Sequence, residues 1–362
     1  GGRRDAGLHC VNVVTMVAPM NSETRPSTAL PAAFNRDLGL HRLHFQPAGS
    51  TLIVSFDHAG RPAEGEYSAR AAWGANFYLG EGHSLLGVIA KKAVWFRDAA
   101  LIRGLEALRD EGFFDRFSNV VMTGGSMGGF GASTFASLAP GCTVIAFSPQ
   151  ATLDPRAVPW EPRFKDGQAC DWSLPYSHAA EGIGAAASAF IFFDPLDRGD
   201  GRHTAMMTRS GTVTTVPIPA GGHGVQPMLV LTGLLKRTTQ ACIAGTFDRP
   251  GFLKAIRLRK TTLRYRRMLV REALMRDKPR IALLMCERAI RAYPDADFRE
   301  MKSLALARLG RHGDGDIIAD DGKGDLIDDL RNNGVDLAGH DAGPGLNRWQ
   351  VDLANARAGT GR

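Results

Sequence analysis

The chain has 362 residues, 44% of them hydrophobic and 22% charged, which is the composition of a globular protein and excludes a chain disordered throughout. The formal net charge of +7 would suggest binding to a polyanion, but residues 252–311 alone hold 17 basic and 6 acidic residues. The preceding 251 residues hold 22 basic and 21 acidic residues, so charge gives no reason to expect a nucleic-acid partner for the larger part of the chain.

Residues 1–41 are interpreted as an N-terminal extension. Their apolar run at 11–20 is too short to cross a bilayer, so we expect no membrane span. The five cysteines are scattered without a CxxC pair, which argues against a zinc site and favours a reducing compartment. The sequence therefore predicts a cytoplasmic protein.

From residue 42 to 250, short apolar runs alternate with segments of helical periodicity. The apolar runs predict strands at 51–56, 84–90, 119–123, 142–147, 189–193 and 211–218. The periodic segments predict helices at 99–114, 127–138 and 226–243. Most of the strands are apolar on both faces, as in a parallel sheet that helices cover on each side. The pattern predicts an α/β domain with a doubly wound, mostly parallel sheet.

Residues 148–187 interrupt this alternation, because they show neither period and are rich in proline and aromatic residues. A long irregular insertion in a compact domain is often a lid or a pocket wall. Trp160 and Trp172 are the candidate side chains for the wall of a substrate pocket. The alternative is a surface excursion that is packed by its own aromatic rings.

The C-terminal part of the chain has a different character. The pattern of residues 251–311 predicts helices alone, at 252–275, 280–293 and 297–309. The basic surface of these helices is a candidate binding site for a protein partner. A solvated basic helix face is the common alternative. Residues 312–362 are rich in Gly and Asp and poor in apolar residues, so we expect a disordered tail.

The motif that carries chemistry is Gly124-Gly-Ser126-Met-Gly128, which lies between a predicted strand and a predicted helix. A nucleophile at so tight a turn needs small neighbours, and the helix that follows offers backbone N–H groups to an oxyanion. A glycine-rich turn after a strand can instead cradle a phosphate. It can also be purely structural, with Ser126 unactivated. The strand–turn–helix context favours the nucleophile.

Two later loops supply the partners that a serine nucleophile needs. The loop after strand 189–193 reads Asp194-Pro-Leu-Asp197-Arg-Gly-Asp200, and the loop after strand 211–218 contains His223 between glycines. A serine hydroxyl requires an imidazole to take its proton, and the imidazole requires a carboxylate to fix its tautomer. Because each loop follows a parallel strand, all three groups are expected at one edge of the sheet.

On these motifs, residues 42–245 resemble an α/β-hydrolase, with Ser126 in the nucleophile elbow and His223 in the histidine loop. The family pattern places the acid a few residues past its strand, which implies Asp197, with Asp194 as the alternative. The resemblance also implies an oxyanion hole formed by the backbone N–H of Met127 and one from the loop after strand 51–56. That loop lacks the usual His-Gly, so the second donor stays open between Phe56 and Asp57.

Residues 264–294 are similar to a tetratricopeptide repeat. Ala282, Ala289 and Pro294 have the spacing of its second helix. Only one repeat and a following helix are visible, whereas stacked arrays usually hold three or more. We expect a helical appendage that docks on the α/β domain or on a partner.

Together these features predict a serine esterase that acts on a small-molecule or acylated substrate and needs neither a metal nor an organic cofactor. Two alternatives stay open. The same acyl-enzyme could be passed to a glycan or other hydroxyl, which would make the protein an acyltransferase. A catalytically silent scaffold would instead hold Ser126 and His223 beyond hydrogen-bond reach of each other.

Overall fold

The computed structural model of the chain describes residues 30–60, 70–208, 211–294 and 298–310. Most of the predicted extension 1–41 and the predicted disordered tail 312–362 lie outside these residues. The described part contains an eight-stranded sheet. Its strands are β1 (Phe34–Asp37), β2 (His41–Gln46), β3 (Thr51–Phe56), β4 (Ser84–Ala90), β5 (Asn119–Gly125), β6 (Thr143–Phe147), β7 (Ser188–Phe193) and β8 (Val213–Pro217).

The strand order is β1-β2-β4-β3-β5-β6-β7-β8. Strand β2 runs antiparallel to both β1 and β4, and all the other pairs are parallel. This arrangement confirms the predicted fold class, a mostly parallel sheet with helices on both faces. Strands β1 and β2 were not predicted, and they place part of the supposed extension in the sheet. Their sequences, FNRD and HRLHFQ, are too polar to register as apolar runs.

Helices cover both faces of the sheet and continue beyond it. They are α1 (Ala75–Gly80), α2 (Ala99–Asp110), α3 (Met127–Thr134), α4 (Lys165–Gln168), α5 (Ala179–Ile183), α6 (Arg198–Met207), α7 (Gln226–Leu231), α8 (Leu235–Ile243), α9 (Arg249–Ala255), α10 (Leu263–Met275), α11 (Pro279–Ala292) and α12 (Arg299–Arg308). The predicted helix 226–243 is divided at Gly233, whose φ of 67° lies in the left-handed region that ends a helix.

The core is divided between the two faces of the sheet because successive side chains of a strand point to opposite sides. Leu52 and Val54 of β3 join a cluster with the side chains of α2, α3 and α5. Ile53, between them, joins a second cluster with side chains of α1, α7, α8 and α9. The central strands therefore carry apolar residues at nearly every position, which made them predictable.

Residues 148–187 are tied to the body of the domain. They contain α4 and α5, and α5 packs on α3. The buried guanidinium of Arg97 donates to the carbonyl oxygens of Leu174, Pro175 and Tyr176. Burial lowers the pKa of Arg97 to about 10, an effect that the nearby Asp171 partly opposes, so the guanidinium stays charged at neutral pH. Residues 174–176 of the segment are thus held to the body of the domain by Arg97.

The C-terminal segment is helical, as predicted, and has a small core of its own formed by α10, α11 and α12. Ala282 and Ala289 of α11 are fully buried in it. Helix α10 also contacts the α/β domain, since Arg276 donates to the Leu196 carbonyl oxygen at 2.9 Å. None of the described helices is long and apolar enough to cross a membrane.

Candidate active site

Ser126 lies between the end of β5 and the start of α3, in a conformation that L-residues rarely adopt. Its φ is 53° and its ψ is −116°. The chain is held there from both sides, because the Ser126 N–H donates to the Phe147 carbonyl oxygen and the Ser126 carbonyl oxygen accepts from Phe130 N–H. Strain of this kind persists only where the surroundings enforce it, and it is concentrated at functional sites. The turn presents Oγ at the carboxyl end of the sheet.

The glycines around Ser126 allow backbones to approach one another closely. A Cβ on Gly124 would lie 2.4 Å from the Gly128 carbonyl carbon, and one on Gly128 would lie 2.4 Å from the Phe56 carbonyl oxygen. Real Cβ atoms do not approach backbone atoms this closely, so any larger residue would push α3 away from β3 and β5. The motif is glycine-rich because the helix start packs directly on two strands.

A chain of hydrogen bonds links Ser126, His223 and Asp200. Oγ of Ser126 lies 2.9 Å from Nε2 of His223. Nδ1 of His223 lies 2.8 Å from Oδ1 and 3.1 Å from Oδ2 of Asp200. A buried carboxylate accepts the Nδ1 proton, which leaves Nε2 as the acceptor for the serine hydroxyl. The separation of Ser126 and His223 that the silent-scaffold alternative requires is therefore absent.

In the structure the carboxylate that bonds His223 belongs to Asp200 and not to Asp197, the predicted acid. Asp197 is the N-cap of α6, and its Oδ1 accepts from the Asp200 N–H at 2.9 Å. Because α6 begins at residue 198, the carboxylate that the helix directs to His223 is in its first turn, at Asp200. Asp197 is instead committed to the helix N-terminus and to an ion pair with Arg163 at 3.0 Å.

The alternative acid, Asp194, holds the histidine loop in place without contacting the imidazole. Its Oδ1 accepts from Ala220 N–H at 3.1 Å, and its Oδ2 accepts from Gly222 N–H at 2.8 Å. Ala220 and Gly222 have φ of 60° and 76°, and the carboxylate fixes this unusual backbone. Burial raises the pKa of Asp194, while these backbone N–H groups favour its charged form. Asp194 therefore orients the loop that carries His223.

Arg163, from the segment 148–187, neutralises the acids around the site. Its Nη1 lies 3.0 Å from a carboxylate oxygen of both Asp197 and Asp200. Its Nη2 lies 2.6 Å from Glu161, and Glu161 contacts Nε2 of the buried His203 at 3.1 Å. One buried guanidinium thus joins three carboxylates, two of them at the N-terminal end of α6.

These charges set the protonation of the histidine–aspartate pair. Burial opposes ionisation of Asp200, but the charges of His223 and Arg163 prevail and lower its pKa to about 2. Burial also opposes the imidazolium form of His223, but the Asp200 carboxylate prevails and raises the pKa of His223 above its usual value. Asp200 is therefore ionised at neutral pH, and a protonated His223 would be stabilised by it.

Helix α10 of the C-terminal segment packs on the histidine loop. Nε of Arg264 donates to the Gly221 carbonyl oxygen at 3.1 Å. Gly222 has a φ of 76°, a conformation in which a larger residue would be strained, and a Cβ there would also lie 2.7 Å from Sδ of Met268. The appendage docks on the α/β domain at the histidine loop and at the loop between β7 and α6.

One of the predicted oxyanion-hole donors is engaged elsewhere. Met127 is the first residue of α3, where backbone N–H groups have no partner within the helix. The Asp57 N–H donates to the Val88 carbonyl oxygen at 3.1 Å. Phe56 is the last residue of β3 and pairs with Gly124 in the sheet. Met127 and Phe56 therefore stay predicted donors, while the Asp57 N–H is already bonded.

The two tryptophans predicted to line a pocket have different surroundings. Trp172 is 6% exposed, packs against Phe130 in the core and donates to the Gly167 carbonyl oxygen. Trp160 lies against His203, with ring centroids 4.8 Å apart. The insertion's ring beside the site is Phe164, whose centroid is 5.4 Å from that of His223. Proline and aromatic content indicated that the segment is packed, but not which of its rings lies beside His223.

Asp197, Asp200 and His223 form the cluster of three possible metal ligands found among the described residues. The Arg163 guanidinium already binds both of its carboxylates, and His223 is bonded to Ser126 and Asp200. A cation there would have to displace a buried positive group. The donor set therefore fits a proton-transfer chain better than a metal site.

The sequence analysis missed Asp200, Arg163 and Gln150 as site residues. Asp200 was visible in the string that follows β7, but its role depends on where α6 begins. Gln150 follows β6, and its Nε2 lies 3.4 Å from Oγ of Ser126. A polar residue just after a central strand was the signal available for it. Arg163 lies 37 residues before Asp200, and no local pattern connects the two.

Comparison with known proteins finds solved structures that match at low sequence identity and with TM-scores below 0.5. No protein-family model matches the sequence, and the search of curated proteins found no relative. Among solved structures, the capsule O-acetyltransferase of Neisseria meningitidis serogroup A is 14% identical, with a TM-score of 0.41 over 57% of this chain and 93% of that one. Carboxyl esterase 2 from Tuber melanosporum is 13% identical, with a TM-score of 0.40 over 65% and 89%. A truncated carbohydrate esterase from gut microbiota is 13% identical, with a TM-score of 0.38 over 61% and 98%.

Proposed function

We propose that this chain is a serine hydrolase that cleaves a carboxylic ester through an acyl-enzyme on Ser126. The observation that carries the proposal is the unbroken hydrogen-bond chain from Ser126 through His223 to the buried Asp200. A serine hydroxyl, an imidazole and a carboxylate in this order are the groups that nucleophilic acyl transfer requires. The strained backbone of Ser126 supports the same interpretation.

In the proposed reaction, Oγ of Ser126 attacks the ester carbonyl carbon while Nε2 of His223 takes the hydroxyl proton. Asp200 stabilises the imidazolium that forms, and the N–H of Met127 donates to the carbonyl oxygen as it gains negative charge. The tetrahedral intermediate then breaks its bond to the alkoxy oxygen, and His223 returns the proton to the leaving alcohol. The acyl group is left on Ser126.

Water completes the cycle by the same steps. His223 takes a proton from the water as its oxygen attacks the acyl carbon, and then returns the proton to Oγ as the acid leaves. If the acceptor is the hydroxyl of a glycan or another alcohol, the second half-reaction is acyl transfer instead of hydrolysis. Hydrolysis and acyl transfer share the first half-reaction. They differ in whether water or another hydroxyl reacts faster with the acyl-enzyme.

The proposal is tested by a fluorophosphonate probe and a short p-nitrophenyl ester. The wild-type protein should be labelled and should turn over the ester, and Ser126→Ala should lose labelling and lower kcat by about 10⁶. Ser133→Ala is a matched control, because Ser133 is buried in the same helix, α3. Absence of labelling in the wild type, or labelling that persists in Ser126→Ala, would contradict the proposal.

A second measurement separates hydrolysis from transfer. A burst of p-nitrophenol followed by slow turnover, which an added sugar or alcohol accelerates with formation of the new ester, would assign the protein as an acyltransferase. Turnover that is independent of added hydroxyl compounds would assign it as an esterase. The proposed acyl-enzyme is common to both outcomes.

For residues 251–311 we retain the tetratricopeptide-like arrangement as a proposal, with α10 and α11 as the helices of one repeat. The burial of the small residues Ala282 and Ala289 supports it, because such residues let paired helices approach closely. Leu258, Ile281 and Leu284 are about half exposed, and exposed apolar side chains suit contact with another protein. Because the segment is basic, the proposed partner is an acidic protein.

A further inference from the structure

Gln150 is a buried amide beside the proposed nucleophile. It follows β6 directly, and its side chain is inaccessible to solvent. Its Oε1 accepts a hydrogen bond from Nε1 of Trp95 at 2.9 Å. An indole nitrogen can only donate, so this bond fixes which end of the amide is the oxygen. The NH₂ group of Gln150 must therefore point the other way, toward Ser126.

The NH₂ group is weakly held where it lies. Its Nε2 is 3.4 Å from Oγ of Ser126 and 3.3 Å from the Ser148 carbonyl oxygen, both longer than the usual distance for such bonds. Because the amide is inaccessible to solvent in this structure, a substrate oxygen reaches it only when the groups around Oγ shift on substrate binding. A buried donor with only long contacts then gains stability from the closer acceptor. The nearest reacting atom is Oγ of Ser126, and the oxygen of a bound acyl group would lie two bonds from Oγ.

Trp95 is itself held in a costly conformation. Its φ is 45° and that of Phe96 is 56°, so two consecutive residues with large side chains lie in the left-handed region. Trp95 is only 2% exposed. Strain that the surroundings maintain at a residue bonded to an active-site group is typical of preorganisation. In this conformation the indole N–H of Trp95 donates to Gln150.

The oxyanion hole has room for such a donor. On the β3 side of Ser126, the Asp57 N–H donates to Val88, and Phe56 belongs to the sheet. Met127 N–H, at the start of α3, is one backbone donor that the helix leaves without a partner. Such a site is expected to present two donors, and the Asp57 N–H is already bonded and cannot be the second.

We infer that the side-chain amide of Gln150 donates to the carbonyl oxygen of the substrate as it becomes an oxyanion, together with the N–H of Met127. The inference rests on the proposed acyl-enzyme at Ser126. The leaving oxygen needs a proton, and His223, bonded to Oγ at 2.9 Å, supplies it. A neutral amide holds its protons, so its donor serves the oxygen that gains charge. Gln150 is thus a catalytic residue, and Trp95 is a positioning residue that acts through it.

The test is Gln150→Met, which keeps the length of the side chain and removes the donor. We expect kcat on a p-nitrophenyl ester to fall by about 10²–10³ with KM nearly unchanged, because the donor acts on the transition state. The affinity of an alkylboronic acid, which forms a tetrahedral adduct on Ser126, should fall by a factor comparable to the loss in kcat/KM. Gln240→Met is the control, since Gln240 is exposed and bonded to Glu81.

Trp95→Phe gives a second arm. Alone it should lower kcat less than Gln150→Met does, and in a Gln150→Met background it should cause no further loss, because its effect passes through the amide. The double variant also removes both partners of a buried hydrogen bond, so it keeps the test usable if the single variant is unstable. The thermal midpoint of each variant reports folding independently of activity.

The outcomes are distinguishable. A wild-type protein that is neither labelled nor active would remove the proposed function and this inference with it. An active wild type with Gln150→Met within twofold in kcat, or changed only in KM, would overturn the inference alone. A loss of kcat with unchanged boronic-acid affinity would overturn the oxyanion assignment.

Discussion

Asp200 lies one helical turn after Asp197, and only the Asp200 carboxylate bonds Nδ1 of His223, at 2.8 Å. Asp197 instead accepts from the Asp200 N–H and caps α6. Both carboxylates are buried and both bind Arg163, but they have different structural roles. One holds the imidazole, and the other holds the helix that places the first.

Asp200→Asn should therefore be far more damaging to activity than Asp197→Asn. An amide at 200 cannot stabilise the imidazolium and can favour the wrong tautomer of His223, so we expect kcat to fall by about 10⁴. Asn is as good an N-cap as Asp, so Asp197→Asn should keep α6 and lower kcat by less than tenfold. Steady-state rates on one ester decide this. Equal losses for the two variants would contradict the assignment of Asp200.

Much of the fold could be predicted from the sequence, because the central strands are buried on both faces and therefore apolar throughout. Strand β2 escaped notice because His41 and Arg42 lie in it, although His41 is fully buried and bonded to Asp98 at 2.8 Å. The sequence alone does not show whether a polar residue is buried or exposed. The burial of His41 depends on a partner 57 residues away, which no local period reveals.

The site was predictable where local chemistry determines it. Ser126 and His223 stand out because glycines surround them, and those glycines are needed for positive φ or close backbone approach. The acid could not be chosen locally, because Asp194, Asp197 and Asp200 all follow the same strand. Their separate roles are set by the start of α6 and by Arg163, which arrives from a distant segment.

The activity should depend on pH through His223. The base must be neutral to take the serine proton, and its pKa is raised because the Asp200 carboxylate outweighs the effect of burial. The logarithm of kcat/KM should therefore rise with pH and level off above a midpoint higher than the usual 6.5 of a histidine. The profile of the free enzyme over pH 5 to 9 measures this. A midpoint well below 6.5 would contradict the assigned charges.

Arg163→Gln should move that midpoint further upward. The guanidinium opposes protonation of His223, and without it Asp197 and Asp200 face the imidazole uncompensated. The variant also leaves buried carboxylates without their cation, so we expect a loss of about 3–5 kcal/mol in the free energy of unfolding. Arg163→Lys keeps the charge and should shift the midpoint less.

Arg156→Gln is the matched control for this substitution. Arg156 lies in the same segment, but it is exposed and paired with Asp154 at 2.7 Å. An exposed ion pair contributes little, so neither the pH profile nor the unfolding midpoint should change. Similar effects at residues 156 and 163 would show that the segment, and not the guanidinium at the acids, determines the profile.

Gly128→Ala should disrupt the site through packing alone. Its Cβ would lie 2.4 Å from the Phe56 carbonyl oxygen and 2.8 Å from that of Asp57, so α3 must shift away from β3. Overpacking of this kind costs about 1–3 kcal/mol of stability, and the shift moves Ser126 away from His223. Urea unfolding and fluorophosphonate labelling should both report the change. Gly80→Ala is the control, because nothing lies within 4 Å of a Cβ there.

Glu272 lies on α10, the helix that contacts the histidine loop and the loop between β7 and α6. We expect the free energy of unfolding to depend on pH through this carboxyl group. Burial raises the pKa of this carboxyl to about 7, assisted by the nearby charges of Asp197 and Asp194 and opposed by Arg271 and Arg276. Its folded pKa lies above its unfolded value, so the folded state binds the proton more tightly, and stability is lost as pH rises from about 4.3 to about 7.

Glu272→Gln removes the charge that is costly at high pH, so we expect its thermal midpoint to exceed that of the wild type at pH 8. Below pH 5, where Glu272 is already protonated in the folded protein, the two midpoints should converge. Glu287→Gln is the control, because Glu287 lies on α11 and not on α10, the helix that contacts the α/β domain. A Glu272→Gln variant less stable than the wild type at pH 8 would mean that its ion pairs with Arg271 and Arg276 outweigh the cost of burial.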